Sequence, residues 1–218
     1  MKKLMFIFIL CFLSNSYSQI FNFLPKGLGL EAGLGYNQFD AKELPSYPFY
    51  SGMATYRDQF TLTPAFRISW EKEIINQISI MPFIGYSVLG GKSSQLPNGY
   101  EDEFYFRTLD FGLFTSYRIR NISFSFGGKY DRFLKMTSRA YGGALDPATT
   151  PRKWTEEDAG ILFNNWAVDL GGRVSYNFNH ITFSFESWFS ITNITAQDLA
   201  TYVYYNTRRF QLLIGYRL

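Results

Sequence analysis

The sequence has one cysteine and one histidine. Cys11 lies in an apolar run near the N-terminus, so the rest of the chain can form neither a disulfide nor a thiolate metal or redox site. A lone imidazole, His180, excludes any site built from two or more histidines. It also leaves one base of this kind for nucleophilic catalysis. Past residue 18 no stretch approaches the ~18 consecutive apolar residues of a membrane helix. Surplus charge is scarce too: the formal net charge is +3, and Lys2 and Lys3 supply two of those units. A nucleic-acid partner, which needs a basic face, is excluded by that balance.

What is present starts with a leader. Met1-Lys2-Lys3 is basic, residues 4–13 are apolar, and Ser16 and Ser18 stand at the −3 and −1 positions of a cleavage after Ser18. This is the pattern of a secretory signal peptide, too short to span a bilayer. Leu10 before Cys11 is too large for a lipoprotein signal. Residues 1–18 are therefore expected to be removed, leaving 19–218 as one domain.

Aromatic residues make up 20% of the chain, yet the mean hydropathy is −0.12. Both follow if large apolar residues alternate with polar ones. In 207–218 every second position is apolar (Phe210, Leu212, Ile214, Tyr216, Leu218), with Arg209, Gln211, Leu213, Gly215 and Arg217 between them. Alternation of this kind marks a strand with two unlike faces. It recurs in 28–36, 60–71, 78–88, 104–118, 122–131, 165–176 and 181–191. The pattern of the last strand reaches back toward residue 201. Eight strands are thus expected.

The intervening segments alternate between long and short. Short turns are expected at about 72–77, 118–121 and 177–180; long polar loops at about 37–59, 89–103, 134–162 and 192–206. Gly90-Gly91 and Pro97-Asn98-Gly99 are turn signals. The reading is an all-β, up-and-down antiparallel transmembrane barrel with periplasmic termini, short periplasmic turns and long extracellular loops. At ~3.3 Å per residue and ~45° tilt, an outward row of five or six residues spans roughly 25 Å of apolar band. Trp70, Tyr117, Tyr176 and Tyr216 mark one edge of it, and Tyr36, Tyr86, Tyr130 and Trp166 the other. A soluble barrel would reverse the faces, and these polar rows carry too many charges for a soluble core.

The inward rows hold Glu31, Arg67, Asp110, Lys129, Asp131, Asp169, Arg173, Glu186, Arg209 and Arg217. An eight-stranded barrel has room inside only for side chains. Acids and bases there must pair, since an unpaired buried charge costs several kcal/mol. A salt-bridged plug is the first expectation and a gated polar path the second. Phe83, Phe114 and Trp188 also point inward, with glycines and serines to make room for them. On the outer face, Arg107, Arg132 and Arg208 stand just above the apolar band, where arginine can pair with lipid A phosphates. Pro64 and Pro82 fall mid-strand on the lipid face, so a bulge or irregular pairing is expected there. They could also mark a surface on which another protein packs.

Little supports catalysis. His180 falls in an expected periplasmic turn, away from the outer rim where a lipid-modifying barrel enzyme needs its base. Glu156-Glu157-Asp158 lacks the spacing of a calcium loop. No cofactor or metal is expected.

The leader, the eight alternating segments and the Phe210, Leu212, Ile214, Tyr216, Leu218 row together resemble the small Gram-negative outer-membrane β-barrels of OmpA-, OmpX- and OmpW-like type. The resemblance covers the whole mature chain and is architectural; it brings no family-specific functional motif and no separate periplasmic domain. It implies residence in the outer membrane among lipopolysaccharide. It also implies that the barrel assembly machinery reads the Phe210–Leu218 row as its signal. Barrels of this kind serve as adhesins, scaffolds, small pores, lipid enzymes or subunits of larger complexes. The expected function is a non-enzymatic structural or interaction barrel, as an accessory subunit of a larger outer-membrane complex with an outer-membrane protein partner. The alternative is a narrow channel for small or hydrophobic solutes; a lipid-modifying enzyme ranks last.

Overall fold

The computed structural model describes residues 26–43, 61–92, 101–141, 164–194 and 203–218. The leader, the tyrosine-rich segment 44–60, the acidic Glu156-Glu157-Asp158 and most of the expected long loops lie outside these residues. Eight antiparallel strands are formed: β1 (Leu28–Glu43), β2 (Thr61–Trp70, resuming after Glu71 as Lys72–Ile75), β3 (Ile78–Lys92), β4 (Glu101–Ile119), β5 (Ile122–Tyr141), β6 (Trp166–Phe178), β7 (Ile181–Ser190) and β8 (Val203–Arg217). Each strand pairs with the next, and β1 also pairs with β8, from Gly29↔Arg217 to Glu43↔Val203. The sheet therefore closes on itself and has no free edge.

Burial is inverted relative to a soluble protein. Leu62 and Phe126 are 66% exposed and Leu212 is 65% exposed, whereas Arg209, Glu186 and Asp131 are fully buried. The outward rows are the apolar ones expected, with Trp70, Tyr117, Tyr176 and Tyr216 exposed at the turn end and Tyr36, Tyr130 and Trp166 at the loop end. Tyr130 and Trp166 stack at 6.3 Å between ring centroids. Only lipid makes such an outer surface stable.

Several expected boundaries are too short. β1 continues to Glu43, β4 begins at Glu101 and β5 continues to Tyr141. The apolar alternation stops where the bilayer stops, but backbone pairing needs no apolar face once the strands enter water. The turns shrink correspondingly. Lys72–Ile75 is strand, so the first turn is Asn76-Gln77; the others are Arg120-Asn121 and Asn179-His180. Each holds one left-handed residue: Gln77 (φ 71°), Arg120 (φ 54°) and Asn179 (φ 52°). This conformation lets two residues reverse a twisted strand pair.

The two prolines interrupt one ladder. β2 and β3 pair from Ala65↔Ser87 to Ser69↔Phe83 and resume at Lys72↔Ile80. Continuing that register puts Pro64 opposite Val88 and Pro82 opposite Trp70. Each proline lacks the N–H the seam needs there. No bulge forms at either; the register shift in this seam lies between Glu73 and Ile75. The Val88 carbonyl instead accepts the Thr63 hydroxyl at 2.5 Å and, more weakly, the Asn37 amide at 3.4 Å. Thr63→Val removes the closer donor while keeping the shape. The expected cost is about 1–3 kcal/mol in urea unfolding from lipid vesicles. Adding Pro64→Val, which restores a backbone donor, is expected to recover most of that loss.

Candidate functional site: the charged lumen

Inward positions from all eight strands fill the barrel, and their side chains sort into two clusters. The turn-side cluster comprises Glu31 (β1), Arg67 (β2), Arg173 (β6) and Glu186 (β7). Arg67 grips Glu186 with both terminal nitrogens, one of them at 2.7 Å, and lies 3.6 Å from Glu31. Arg173 grips Glu31 in the same two-handed way, one contact at 2.7 Å, and donates to Glu186 at 2.9 Å. Its Nε donates to Ser175 at 2.7 Å, and the Trp188 indole donates to Glu186 at 2.8 Å. Two acids and two bases alternate, so this cluster is neutral. The planar fork of arginine suits it to join two carboxylates at once.

The loop-side cluster comprises Asp110 (β4), Lys129 and Asp131 (β5), Asp169 (β6) and Arg209 (β8). Lys129 donates to both oxygens of Asp131, at 2.8 and 2.7 Å, and lies 3.2 Å from Asp169. Arg209 donates to Asp131 at 2.6 Å and to Ser87 at 2.9 Å; Ser87 donates to Asp110 at 2.8 Å. Arg209 also lies 3.6 Å from both Asp110 and Asp169.

Phe83, Phe114 and Trp188, with Met81, form a buried apolar group within the lumen. Their centroids are 5.0–6.0 Å apart. Arg67 lies 4.1 Å over the Phe83 ring, and the Lys129 ammonium 5.2 Å from the Trp188 ring. The aromatics thus join the two clusters through cation–π contacts. Their volume is accommodated by missing side chains opposite. A Cβ at Gly112 would fall 2.2 Å from Phe83, and one at Gly171 would fall 2.5 Å from Trp188.

Arg217 belongs to neither cluster. It stands at the turn-end mouth, where it pairs with Glu71, a residue the sequence reading left out of the lumenal set. Glu71 also accepts Arg118 and Ser79, both at 2.7 Å. The mouth is a cavity of ≈ 410 Å³ lined by Glu71, Gln77, Arg118, Arg120 and Arg217, among others. Glu71 occupies the break in β2. The one signal for it was its position two residues past the inward Ser69. His180 is exposed beside this mouth, stacked on Tyr216 at 5.5 Å, with Nδ1 2.9 Å from the Arg217 carbonyl oxygen.

Arg107, Arg132 and Arg208 are all exposed on the outer face. The fold brings only the first two together. A register shift in the β4–β5 ladder pairs Thr108 with Phe133 but Arg107 with Lys135. Arg107, Arg132 and the unanticipated Lys135 therefore form one cationic patch, directly above the Tyr130–Trp166 stack. Arg208 is on β8, between Gln38 and Phe189. The Phe210, Leu212, Ile214 and Tyr216 row stands on the outer face of β8, on the strand that closes the barrel.

No family model and no curated protein matches the chain. Solved structures do. The attachment invasion locus protein Ail of Yersinia pestis, in complex with the heparin analogue sucrose octasulfate, is similar at 12% identity and a TM-score of 0.45, over 89% of this chain and 100% of that one. OprG of Pseudomonas aeruginosa is similar at 10% identity and a TM-score of 0.43, over 88% and 96%. The outer-membrane protease OmpT of Escherichia coli is similar at 10% identity and a TM-score of 0.41, over 89% and 97%. What those proteins bind or do is not carried to this chain, whose own geometry decides the class. A closed antiparallel sheet of eight strands, apolar outside and charged within, makes the chain a small membrane-spanning β-barrel of the outer-membrane type.

Proposed function

We propose that the chain is a non-enzymatic structural or interaction barrel of the outer membrane, an accessory subunit presenting a surface to a protein partner. The observation that carries this reading is the filled lumen. Trp188, Phe114, Arg209 and Glu186 are wholly buried, and buried charged side chains, most of them ion-paired, share the inward space with serines and threonines. A barrel so plugged acts through its outer surface and loops. Residues 44–60 and 142–163, the tyrosine-rich and the longest connections, would form the binding surface, since aromatic residues are favoured at interfaces. Residues 1–18 would serve as the signal peptide, and the β8 outer row as the assembly signal.

Affinity purification from native membranes tests this directly. A stoichiometric outer-membrane partner, lost when 142–163 is shortened, is the expected result. A narrow channel is the second reading, favoured by the polar mouth at the turn end of the charged lumen. Planar-bilayer recording separates the two: discrete, reproducible openings of the wild-type barrel would defeat the plug.

The rim patch supplies a lipid contact. Arg107, Arg132 and Lys135 stand at headgroup height, where lipopolysaccharide phosphates lie, and each cation near a charged membrane surface contributes about 1 kcal/mol. Arg107→Glu with Arg132→Glu is expected to lower co-purifying lipopolysaccharide at least tenfold. Arg208→Glu, which leaves the patch intact, is expected to have a smaller effect. Equal retention by all variants would remove lipopolysaccharide phosphate as the ligand.

A further inference from the structure

The two lumenal clusters differ in their charge balance. The turn-side cluster is balanced, with two carboxylates against two guanidiniums. The loop-side cluster has three carboxylates, Asp110, Asp131 and Asp169, against two cations, Lys129 and Arg209. Asp131, Asp169 and Arg209 are fully buried, and Asp110 and Lys129 nearly so. Hydrogen bonds are also unevenly shared. Asp131 accepts Lys129 twice and Arg209 once. Neither oxygen of Asp169 has a hydrogen-bond partner, nor does Oδ1 of Asp110. One carboxylate is therefore in excess, and three buried carboxylate oxygens accept no hydrogen bond, although the Lys129 ammonium stands 3.2 Å from Asp169.

Leaving that excess charge bare inside a barrel costs several kcal/mol. Among the described residues, the surrounding groups supply no further cation. Arg209, Lys129, Asp110 and Asp169 are the charges acting on Asp131. Ser87 of β3 reaches Asp110 as a neutral donor, and Trp188 of β7 meets the cluster through its ring. Asn37 of β1, opposite Arg209, is neutral. On β2 and β6, Arg67 and Arg173 are already engaged by Glu31 and Glu186. A metal ion does not fit, because among the described residues no group of three acids is disposed to hold one. The Lys129 ammonium and the Arg209 guanidinium already stand between the carboxylates.

We propose that the loop-side half of the lumen is a binding site for one proton, shared among the carboxyl groups of Asp110, Asp131 and Asp169. The proton supplies the missing positive charge. It also turns one acceptor into a donor, so that one carboxyl can hydrogen-bond to another. Protons in such a group belong to the set and not to one residue. The plug then closes neutral, and withdrawing the proton leaves one uncompensated buried charge. This inference rests on the lumen being filled as described.

Infrared spectroscopy of the wild-type barrel in lipid vesicles at neutral pH, with aspartate carboxyl carbons isotopically labelled, tests it. One carboxylic-acid C=O band per barrel, shifting with the label and fading as the pH is raised, is expected. Asp169→Asn removes the excess acid and is expected to abolish the band; Asp110→Asn is the second variant, should the first not fold. A wild-type spectrum without an acid band, or a band at full amplitude in both variants, overturns the proposal. Single-channel recording on the same samples keeps the two ideas apart. An open lumen with the acid band present defeats the plug and leaves the proton site standing. A closed lumen without the band defeats only the proton site.

Discussion

Glu186→Gln is expected to lower barrel stability by about 3–5 kcal/mol, the cost of breaking a buried ion pair by removing one partner. Glu186 is wholly buried and accepts Arg67 at 2.7 Å, Arg173 at 2.9 Å and the Trp188 indole at 2.8 Å. Glutamine keeps the size and one acceptor but removes the charge. Two guanidiniums would then share Glu31 alone. Urea unfolding in phospholipid vesicles, followed by tryptophan fluorescence, measures the loss. The cause is separable from packing. Combining Glu186→Gln with Arg67→Met restores one acid against one base, so the double variant is expected to be more stable than Glu186→Gln alone. A double variant that is less stable would show that the cluster acts through shape and not through charge.

Trp188→Ala is the second large effect, with an expected loss of about 3–5 kcal/mol, the range for deleting a buried aromatic ring. Trp188 is the largest fully buried side chain among the described residues. It packs 5.0 Å from Phe114 and 6.0 Å from Phe83, centroid to centroid, beneath the Lys129 ammonium. Collapse cannot fill the space it leaves. The lumen wall is a closed ladder, and glycine already occupies the position against the ring at Gly171. Water is therefore expected to enter, and planar-bilayer recording is expected to show discrete openings that the wild type lacks. Phe83→Leu, which keeps most of the volume, is expected to stay closed. If Trp188→Ala is as silent as the wild type, the ring is not what blocks the path.

Much of the fold was legible because a membrane barrel writes both faces into each strand. Leu30, Ala32, Leu34 and Tyr36 announced a lipid face as plainly as Glu31 and Gly35 announced the inner one. Apart from β8, read back toward residue 201 and observed from Val203, the strand ends beyond the bilayer were not legible. Residues 37–43 and 134–141 continue their ladders in water, where pairing is satisfied by the backbone and side-chain polarity is free to vary. The inward set was legible as a set, but its grouping was not. Glu31 and Arg173 are 142 residues apart and meet across the lumen. Strand tilt and register decide which residues share a level, and neither is encoded locally.

The outer rim teaches the same lesson. Arg107, Arg132 and Arg208 looked equivalent because each follows the last apolar residue of its row. The register shift at Arg107/Thr108 puts Lys135 beside the first two, while Arg208 stands on a different wall. For Pro64 and Pro82, the chemistry of the missing donors was readable in advance. That both fall on the same β2–β3 seam, and that Thr63 answers one of them, was not.

Sequence alone determined the strand number, the inside-out polarity and the identity of nearly every lumenal charge. These follow from the period of two along a strand and from the need for apolar contact with lipid. Only the tertiary structure decided that the lumenal charges form one neutral and one acid-rich cluster, with Arg217 paired to Glu71 at the mouth. Charge balance is a property of distance in space, and closing the sheet between β1 and β8 is what sets those distances.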